Sequence, residues 1–307
     1  MTELKKLLKH IMKKNNPLIS VIVNCHNGEK FLVSSIKSIL KQSYKNFEVI
    51  FCDNQSTDKS VAIVRKFKDK RIKFFKTKKL MKLYEARNFA IKKAKGDFIS
   101  FLDVDDIWVT SKLKEQVNLF NKDDKLVLVY SNCYILKNKS KKKFVNQILP
   151  SGKIAQKLLD HYKMPILTVM IKKSFFKERL FNKNYEIIGD FDLFVDLSIN
   201  NLVGCIQEPL ALYRIHDNNL SKKKIDLFIN ELESWTVRKK KLKIMKKYSF
   251  KGVLLQLQLL KIKKYIANNL KYEALKEIIK YPMSFKKLRY ISFFVLTKKS
   301  INKILSF

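Results

Sequence analysis

Glycine and proline are scarce in this chain, which has six Gly and five Pro among 307 residues. So few turn-forming residues argue against an all-β fold with many tight turns. No apolar run approaches the ~18–20 residues that cross a bilayer, and residues 1–16 lack the uninterrupted apolar segment of a secretory signal. The sequence therefore predicts neither a membrane span nor a secreted precursor.

Cysteine is also rare, and its four positions do not form a metal-binding pattern. The cysteines are Cys25, Cys52, Cys133 and Cys205, and none belongs to a Cys-x-x-Cys pair. Each lies in or beside an apolar, strand-like segment. This pattern predicts buried free thiols in a reducing cytosol and argues against a zinc site.

Acidic residues are few relative to basic ones, with 27 Asp and Glu against 65 Lys and Arg, for a net charge of +38. Such charge can serve nucleic-acid binding, attraction to an anionic membrane face, or neither, as a compositional bias. The lysines are spread over the whole chain, without an RNP-like aromatic motif, zinc-finger spacing or an arginine-rich arm. The membrane-surface and compositional explanations are therefore favoured.

Three of the scarce acids nevertheless occur together in the stretch FISFLDVDDIW. Phe98–Leu102 is a short apolar run typical of a buried strand, and Asp103, Asp105 and Asp106 follow it. In open α/β sheets, ligands bind at the carboxyl ends of the strands. Clustered carboxylates there suit a hard divalent cation with oxygen ligands. The alternative is an acidic loop that caps a helix beginning near Ser111.

Strand-like and helix-like segments alternate through the first third of the chain. The strand-like segments are residues 18–24, 47–52, 71–75 and 98–102, and the helix-like segments are residues 29–41, 61–67 and 84–95. This alternation predicts βαβ units and an α/β fold with a mostly parallel sheet. Asp53 and Asp103 then lie at the same sheet edge, in a shared crevice. The absence of G-x-G-x-x-G and Walker A motifs argues against an NAD-type or P-loop domain.

Several longer stretches, taken in order, resemble the family 2 glycosyltransferases. They are PLISVIVNCHN (17–27), SILKQSYKNFEVIFCDNQSTDKS (38–60), EARNFAIKKAKGDFISFLDVDDIW (85–108), IIGDFDLFVDLS (187–198) and YRIHDNNLS (213–221). The resemblance spans about two-thirds of the chain. It implies the GT-A fold, a Rossmann-like α/β fold with helices on both faces of the sheet.

The resemblance assigns a nucleotide site to the ends of the first two strands. Asp53 corresponds to the acid that hydrogen-bonds the nucleotide base; the alternative is a helix cap, for which Asp58 is better placed. Arg87, in EARN, corresponds to a position that faces the diphosphate, against the alternative of a solvent-facing helix charge. The residues implied to line the base and ribose pocket are Val23, Asn24 and His26. Trp108 either walls the donor sugar or is a core tryptophan.

The same resemblance implies a metal site. Asp103 and Asp105 match the family's Asp-x-Asp motif, with Asp105 as the direct metal ligand and Asp103 as the ribose- or water-bridging acid. His216, in YRIH, resembles a residue that completes the metal site or binds the diphosphate; the alternative is a structural histidine. Arg214 is implied to support this site. The implied cofactor is Mg²⁺ or Mn²⁺, which stabilises the departing nucleoside diphosphate.

Asp190 is the candidate general base, because it falls in GDFDLFVD where the family usually shows Glu-Asp at the start of a helix. A base at this position takes the proton of the acceptor hydroxyl as that oxygen attacks the anomeric carbon. Asp192 and Asp196 are the alternatives, which we expect to face solvent or pair with lysines. Three departures from the family pattern are Asn24 for Pro, His26 for Tyr and Gly189 for Glu.

The sequence predicts three parts: a basic amphipathic segment at 1–16, a catalytic domain at 17–222, and a lysine-rich helical region at 223–307. Apolar residues recur at helical spacing in 225–245 and 251–279. Residues 288–307 form either an amphipathic membrane-surface helix or a helix that packs on the catalytic domain.

The implied function is transfer of a sugar from a nucleotide sugar, with a UDP-sugar favoured, to a saccharide of a bacterial surface glycan such as a lipopolysaccharide. The resemblance further implies an inverting, metal-dependent hexosyltransferase of cytoplasmic location, associated peripherally with the inner membrane face and with no specific nucleic-acid partner. Two alternatives stay open. They are a sugar nucleotidyltransferase and a non-catalytic basic protein that binds nucleic acid.

Overall fold

A computed structural model describes residues 16–138, 140–283 and 285–291. The chain divides into two units. The first runs to Leu158 and resumes at Tyr162–His216, and the second comprises Leu159–His161 and the residues from Asp217 onward. The three-part division expected from the sequence, with boundaries at residues 16 and 222, stays a prediction. Residues 1–15 of its basic N-terminal segment lie outside the described residues.

A nine-stranded sheet forms the centre of the first unit. The strands are β1 (Ile19–Cys25), β2 (Phe47–Asp53), β3 (Ile72–Lys76), β4 (Phe98–Phe101), β5 (Ile107–Trp108), β6 (Leu126–Lys137), β7 (Ser140–Lys143), β8 (Met170–Lys172) and β9 (Leu202–Ile215). Their spatial order is β3-β2-β1-β4-β8-β6-β9-β5, with β7 paired to β6. Strands β1 to β4 pair in parallel, whereas β8 joins β4 and β6 in antiparallel pairings.

The helices of the first unit connect these strands. They are α1 (Glu29–Leu40), α2 (Ser60–Arg65), α3 (Leu83–Lys93), α4 (Lys112–Lys122), α5 (Ala155–Asp160, which reaches the unit boundary), α6 (Phe175–Glu178) and α7 (Gly189–Asn200), with a 3-10 turn at Ile166–Thr168. The α/β fold expected from the strand–helix alternation is confirmed. The first four strands lie within one residue of their predicted ends. The apolar runs of β1, β2 and β4 are almost wholly buried, whereas β3, at the outer end of the sheet, is partly exposed.

The core of the first unit forms between β1 and helix α1. Alternate β1 residues Val21, Val23 and Cys25 join Leu32 and Ile36 of α1 in one buried cluster. Because strand side chains alternate between faces, Ile22 and Asn24 belong to the other face. This face assignment matters for the site, since the same strand supports the core on one side and carries a polar side chain on the other.

The second unit is helical, as expected for the region after residue 222. Its helices are α8 (Leu220–Lys223), α9 (Ile225–Lys240), α10 (Lys251–Ala267), α11 (Lys271–Lys280) and α12 (Phe285–Ile291), with a 3-10 turn at Lys243–Met245. The helical spacing over 251–279 corresponds to two helices, α10 and α11. Asn269 adopts a φ of 58°, a left-handed conformation that ends α10 before α11 begins.

A fully buried lysine, Lys112, lies against strand β4 of the sheet. The Lys112 side chain, 0% exposed, donates to the Ser100 hydroxyl at 3.1 Å and to the Gln116 amide oxygen at 2.7 Å. Its Nζ also lies 4.1 Å from the centroid of the Trp108 ring. Burial lowers the pKa of this amine well below its usual range. The amine therefore links β4 and α4 through its hydrogen bond to Ser100.

We expect Lys112→Met to change the pH dependence of stability. Between the folded pKa of Lys112 and about 10.4, the unfolded chain binds one proton more than the folded chain, so the wild type gains stability as pH rises. The slope is about 1.4 kcal/mol per pH unit and disappears in Lys112→Met. Urea denaturation at several pH values measures it. Lys114→Met, at an exposed lysine of the same helix, is the control and keeps the wild-type slope. Equal slopes in wild type and Lys112→Met would contradict this account.

Candidate active site

The pairing of β5 with β9 brings distant acidic and basic residues together. Trp108 of β5 lies opposite Ala211 of β9 in an antiparallel register. Beyond this pairing, the Arg214 backbone N–H donates to Asp106 Oδ1 at 2.8 Å and its Nε donates to the Asp105 carbonyl at 2.7 Å. His216 Nε2 lies 2.9 Å from Asp105 Oδ2. Residues more than a hundred positions apart thus form one cluster.

The negative charge of each acid in this cluster disfavours the ionised form of its neighbours. Burial, together with the negative charge of Asp103, raises the pKa of Asp105, and the hydrogen bond from His216 opposes this rise. Burial and the charges of Asp105 and Asp103 raise the pKa of Asp106 well above its usual range. A bound positive charge would relieve this repulsion.

The donor atoms of the cluster suit a divalent cation. The two carboxylates are ligands that Mg²⁺ and Mn²⁺ accept, and an imidazole is a ligand that suits transition metals. Within the described ranges, no group of three or more His, Cys, Asp or Glu side chains is arranged to hold a metal ion. Asp105 and His216 are in direct contact, and Asp103 is close enough to Asp105 for its charge to act on that carboxyl. The chemistry of this set therefore fits the cation that the sequence predicts.

Arg87 contacts the same cluster from helix α3. Its guanidinium is 3% exposed and lies 2.6 Å from Asp103 Oδ1. Burial lowers the pKa of Arg87, but the charge and hydrogen bond of Asp103, together with Tyr84 and the charge of Asp190, outweigh burial and leave the pKa raised. The ring of Tyr84 lies 5.1 Å from the same guanidinium. The burial of Arg87 argues against the alternative of a solvent-facing helix charge, and its place at the diphosphate stays a prediction.

The ends of β1 and β2 present polar atoms without partners. Asp53 is fully buried; its Oδ1 accepts from the Ser56 N–H at 3.2 Å, while its Oδ2 has no hydrogen-bond partner among the described residues. The side-chain amide of Asn24 is likewise buried and unpartnered there. Buried polar atoms without partners are costly unless a ligand satisfies them. A bound group that forms hydrogen bonds with these two side chains would therefore gain binding free energy.

Neighbouring residues hold this edge in place. Asn54 donates its backbone N–H to the Cys25 carbonyl at 2.7 Å, and its side chain exchanges hydrogen bonds with the backbone of Met81 at 2.8 and 2.9 Å. His26, which is exposed, lies with Nδ1 2.9 Å from the Asn54 carbonyl. Val23 is fully buried, so any pocket that it lines is lined by its backbone. Asn54 thus joins β1, β2 and the start of α3, a role that spacing alone does not show.

Asp58 and Trp108 resolve two alternatives that the sequence left open. Asp58 accepts from the backbone N–H of Ser60 at 2.9 Å and from that of Glu29 at 2.9 Å, the first residues of α2 and α1. It therefore supports helix starts, as expected of the better cap.

Trp108 is 3% exposed and donates its indole N–H to the Leu167 carbonyl at 2.8 Å. These contacts favour the core tryptophan over a wall of the donor sugar.

Asp190 is the second residue of helix α7 and is half-buried. Its Oδ1 accepts from the Tyr84 hydroxyl at 3.0 Å and from the Phe191 N–H at 2.9 Å, and its Oδ2 accepts from the Tyr162 hydroxyl at 2.9 Å. Burial raises the pKa of Asp190, while the charge of Arg87 and these hydrogen bonds oppose the rise. Sequence reasoning missed both tyrosines, because neither belongs to a motif and Tyr162 is 28 residues away.

The other two candidate bases are differently placed from our expectation. Asp192 is buried rather than solvent-facing, and its Oδ2 lies 2.9 Å from Arg179 Nη2. Asp196 Oδ2 lies 2.6 Å from the same nitrogen. The expectation that these acids face solvent or pair with lysines is wrong, because one arginine from the segment after α6 bridges two successive turns of α7. Both carboxylates are engaged in a structural ion pair.

Comparison with known proteins identifies the family. The profile described as glycosyl transferase family 2 matches residues 20–185, more than half of the chain. The chain belongs to glycosyl transferase family 2. It is therefore a glycosyltransferase, and the match confirms the resemblance seen in the sequence motifs.

One curated relative is a bacterial enzyme of defined specificity. The Escherichia coli protein UDP-Glc:alpha-D-GlcNAc-diphosphoundecaprenol beta-1,3-glucosyltransferase WfgD is 32% identical over 210 residues, which cover 67% of this chain and 81% of that protein. The name of that protein states a UDP-glucose donor and a lipid-linked acceptor. The alignment extends beyond the stretch that the family profile matches.

Solved structures confirm the GT-A fold. TarS from S. aureus, in complex with UDP-GlcNAc, aligns with a TM-score of 0.61 at 17% identity, covering 94% of this chain and 89% of that chain. Mannosyltransferase PcManGT from Pyrobaculum calidifontis, in complex with GDP-Man and Mn²⁺, aligns with a TM-score of 0.61 at 14% identity, covering 94% and 84%. At these identities the likeness concerns the fold alone.

We expect Asp192→Asn to destabilise this glycosyltransferase more than Asp196→Asn does. The buried Asp192 carboxylate makes a charged hydrogen bond to Arg179, and such bonds contribute about 1.5–3 kcal/mol to the free energy of unfolding. Asp196 is more exposed than Asp192, so water screens its ion pair more. Urea denaturation of both variants measures the difference. A larger loss in Asp196→Asn would contradict the assignment of Asp192 as the buried partner.

Proposed function

We propose that this family 2 enzyme transfers a hexose from a UDP-sugar to a lipid-linked saccharide of a bacterial surface polysaccharide, with inversion and with a divalent cation. The observation that carries the proposal is the contact of Asp105 with His216 beside Asp103, at the strand ends of a GT-A sheet. The donor and acceptor named for the E. coli relative support the choice of UDP-sugar and lipid-linked glycan.

Asp105, Asp103 and His216 are the residues that we propose to hold Mg²⁺ or Mn²⁺. When bound, the cation supplies Lewis-acid stabilisation of the charge on the departing diphosphate. Arg87 adds a fixed positive charge beside Asp103, and Arg214 holds the Asp105 backbone through its Nε. The protein groups thus orient the diphosphate and balance part of its charge.

The nucleotide is proposed to bind at the ends of β1 and β2. The unpartnered Oδ2 of Asp53 can accept from an N–H of the base, which would satisfy a buried acceptor. The backbone of Val23, the amide of Asn24 and the ring of His26 are proposed to complete the base and ribose pocket. A uracil ring offers a suitable N–H to Asp53, consistent with a UDP-sugar.

Asp190 is proposed to act as the general base. It accepts the proton of the acceptor hydroxyl while that oxygen forms a bond to the anomeric carbon, and the bond from this carbon to the diphosphate oxygen breaks. One displacement inverts the configuration at the anomeric carbon. The engagement of Asp192 and Asp196 with Arg179 supports Asp190 over these alternatives.

Association with an anionic membrane surface is proposed for the second unit. Residues 217–291 contain 20 Lys and Arg against six Asp and Glu. On α11, an apolar stripe of Tyr272, Leu275 and Ile279 is exposed, and the lysines of that helix are exposed beside it. Lysine-flanked apolar stripes suit the interface of an anionic leaflet. Among the described residues, no helix is long and apolar enough to cross a membrane.

Most of the segment 288–307, for which the sequence left a membrane-surface helix open, lies outside the described residues, since residues 292–307 are not described. The stripe on α11 is therefore the feature on which the membrane proposal rests. A lipid-linked acceptor lies at the bilayer, so such contact would place enzyme and acceptor at the same surface.

A donor screen tests the proposed chemistry. With Mn²⁺ or Mg²⁺, we expect one UDP-sugar to be hydrolysed slowly or transferred, with release of UDP and loss of activity in chelator. Asp105→Ala should lose the metal-dependent response, and Asp190→Asn should keep donor binding while its turnover falls by about 10²–10⁴-fold. Asp226→Asn, at an exposed acid of the second unit, should match the wild type.

Two outcomes of this screen would contradict the proposal. Release of pyrophosphate instead of UDP would indicate a nucleotidyltransferase. Full turnover by Asp190→Asn would remove Asp190 as the base, whatever the donor.

Vesicle sedimentation tests the membrane proposal. We expect the full chain to sediment with phosphatidylglycerol vesicles, to dissociate at high salt, and to bind phosphatidylcholine vesicles poorly. The double substitution Leu275→Glu and Ile279→Glu should weaken binding by at least about 10-fold, since it replaces apolar burial by repulsion. Ile148→Glu, at an exposed apolar residue of the first unit, is the control. Equal binding by both variants would contradict a role for the stripe.

A further inference from the structure

Two tyrosine hydroxyls and one backbone N–H donate hydrogen bonds to the carboxylate of Asp190. Tyr84, at 3.0 Å, comes from helix α3, and Tyr162, at 2.9 Å, comes from the segment after α5. The Phe191 N–H adds a third donor at 2.9 Å. Both oxygens of the carboxylate are thus engaged, and the plane of the group is fixed by donors from three different segments.

Gly189 makes the contact with Tyr84 possible. A Cβ atom built at Gly189 would lie 2.5 Å from Cδ2 and Cε2 of the Tyr84 ring, a distance that ordinary side chains never adopt. This is the position where the family pattern usually shows a glutamate. The Tyr84 ring therefore takes the space of that side chain, and the tyrosine hydroxyl brings a donor to the neighbouring aspartate.

We propose that the hydroxyls of Tyr84 and Tyr162 are positioning groups that keep the Asp190 carboxylate ionised and oriented as a base, and that Gly189 is required for this arrangement. The inference rests on the proposed role of Asp190 as the base. The two tyrosines share no sequence motif with Asp190. The role of Gly189 is to leave space for the Tyr84 ring beside Asp190.

The physical basis is the conflict between burial and charge at Asp190. Burial favours the protonated carboxyl and raises its pKa, whereas donors to the ionised form lower it. The groups that face Asp190 are Arg87 and Tyr84 of α3, Tyr162, and Tyr213 of β9. Of these only Arg87 is positively charged, and Asp103 already pairs with it. The tyrosine hydroxyls therefore add to the stabilisation of the carboxylate that the charge of Arg87 provides.

Both hydroxyls are better suited to this task than a lysine would be. Burial and the nearby charge of Asp190 raise the pKa of Tyr84 and of Tyr162 well above the usual value, so both phenols stay protonated donors. A phenol donates without adding a positive charge that would bind the carboxylate as an ion pair. Asp190 can then still accept a proton from an acceptor hydroxyl.

Tyr84→Phe and Tyr162→Phe in the full chain test the proposal, because each removes one hydroxyl and keeps the ring. The packing of Tyr162 on Phe191 and of Tyr84 on Phe181 is retained. Tyr130→Phe is the matched control, since it removes a hydroxyl that donates to the Pro150 carbonyl at 2.6 Å. The Tyr84 hydroxyl also lies 3.1 Å from the Ile187 carbonyl, which shares its proton with Asp190. Each variant removes the contacts of one hydroxyl, but only Tyr84→Phe and Tyr162→Phe remove a donor to Asp190.

The first readout is the ionisation of Asp190 itself, followed by infrared titration of the carboxylic C=O band in the wild type against Asp190→Asn. We expect the midpoint to rise by about one pH unit in Tyr84→Phe and in Tyr162→Phe, as expected for loss of one donor to a charged group. Tyr130→Phe should titrate like the wild type. Gly189→Ala should shift the midpoint in the same direction as Tyr84→Phe, because its methyl group displaces the ring.

The second readout is the pH profile of turnover with the UDP-sugar that the donor screen selects. The acidic limb should move to higher pH by the same amount in both site variants, with recovery of the rate at the alkaline plateau. A purely structural role would lower the rate equally at every pH. Unchanged Asp190 midpoints in both variants would overturn the proposal.

These readouts separate the inference from the function on which it rests. If the wild type transfers no sugar, the proposed function fails, and the infrared titration still decides whether the tyrosines control Asp190. If the wild type is active and Asp190→Asn is not, but both tyrosine variants keep the wild-type limb and midpoint, the positioning proposal alone is refuted.

Discussion

The antiparallel pairing of β5 with β9 is the contact on which the candidate site depends. It places the backbone of Arg214 against Asp106 and the ring of His216 against Asp105, although these residues are more than a hundred positions apart. Two residues of β5 are too few to form a stable strand alone. Their position is secured by the long β9 and by the buried Trp108, whose indole N–H is bonded to the Leu167 carbonyl. The site thus gains rigidity from the core beneath it.

Arg87 links the two halves of the site. Its guanidinium pairs with Asp103 on the proposed metal side, and it lies over the ring of Tyr84, whose hydroxyl reaches Asp190 on the proposed acceptor side. A buried charge of this kind is stable only while its partners stay in place. Groups that handle the donor and the acceptor are therefore not independent. A change at Asp103 alters the field at Asp190 through one shared cation.

The fold was more predictable from the sequence than the site was. Strands such as β1 and β2 are continuous apolar runs, so their ends follow from composition, and their parallel pairing follows from the helices between them. The cluster of Asp103, Asp105 and His216 was accessible because its members belong to motifs. Tyr162 and Arg179 were not, since their contacts with α7 arise from tertiary packing that no local pattern encodes. Lys112 could not be anticipated either, because nothing in its neighbours distinguishes a buried lysine from the many exposed ones.

Acids are scarce in this chain of net charge +38, yet five of them lie at one edge of the sheet or beside it. Asp53 and Asp106 are buried, and Asp103, Asp105 and Asp190 are half-buried. The surrounding lysines attract an anionic donor from a distance, but salt screens such attraction over about 10 Å. In the proposed complex, a diphosphate would meet the carboxylates of Asp103 and Asp105, and Arg87 pairs with only one of them. The remaining negative charge is the physical reason why the proposed reaction requires a divalent cation at this position rather than more lysine.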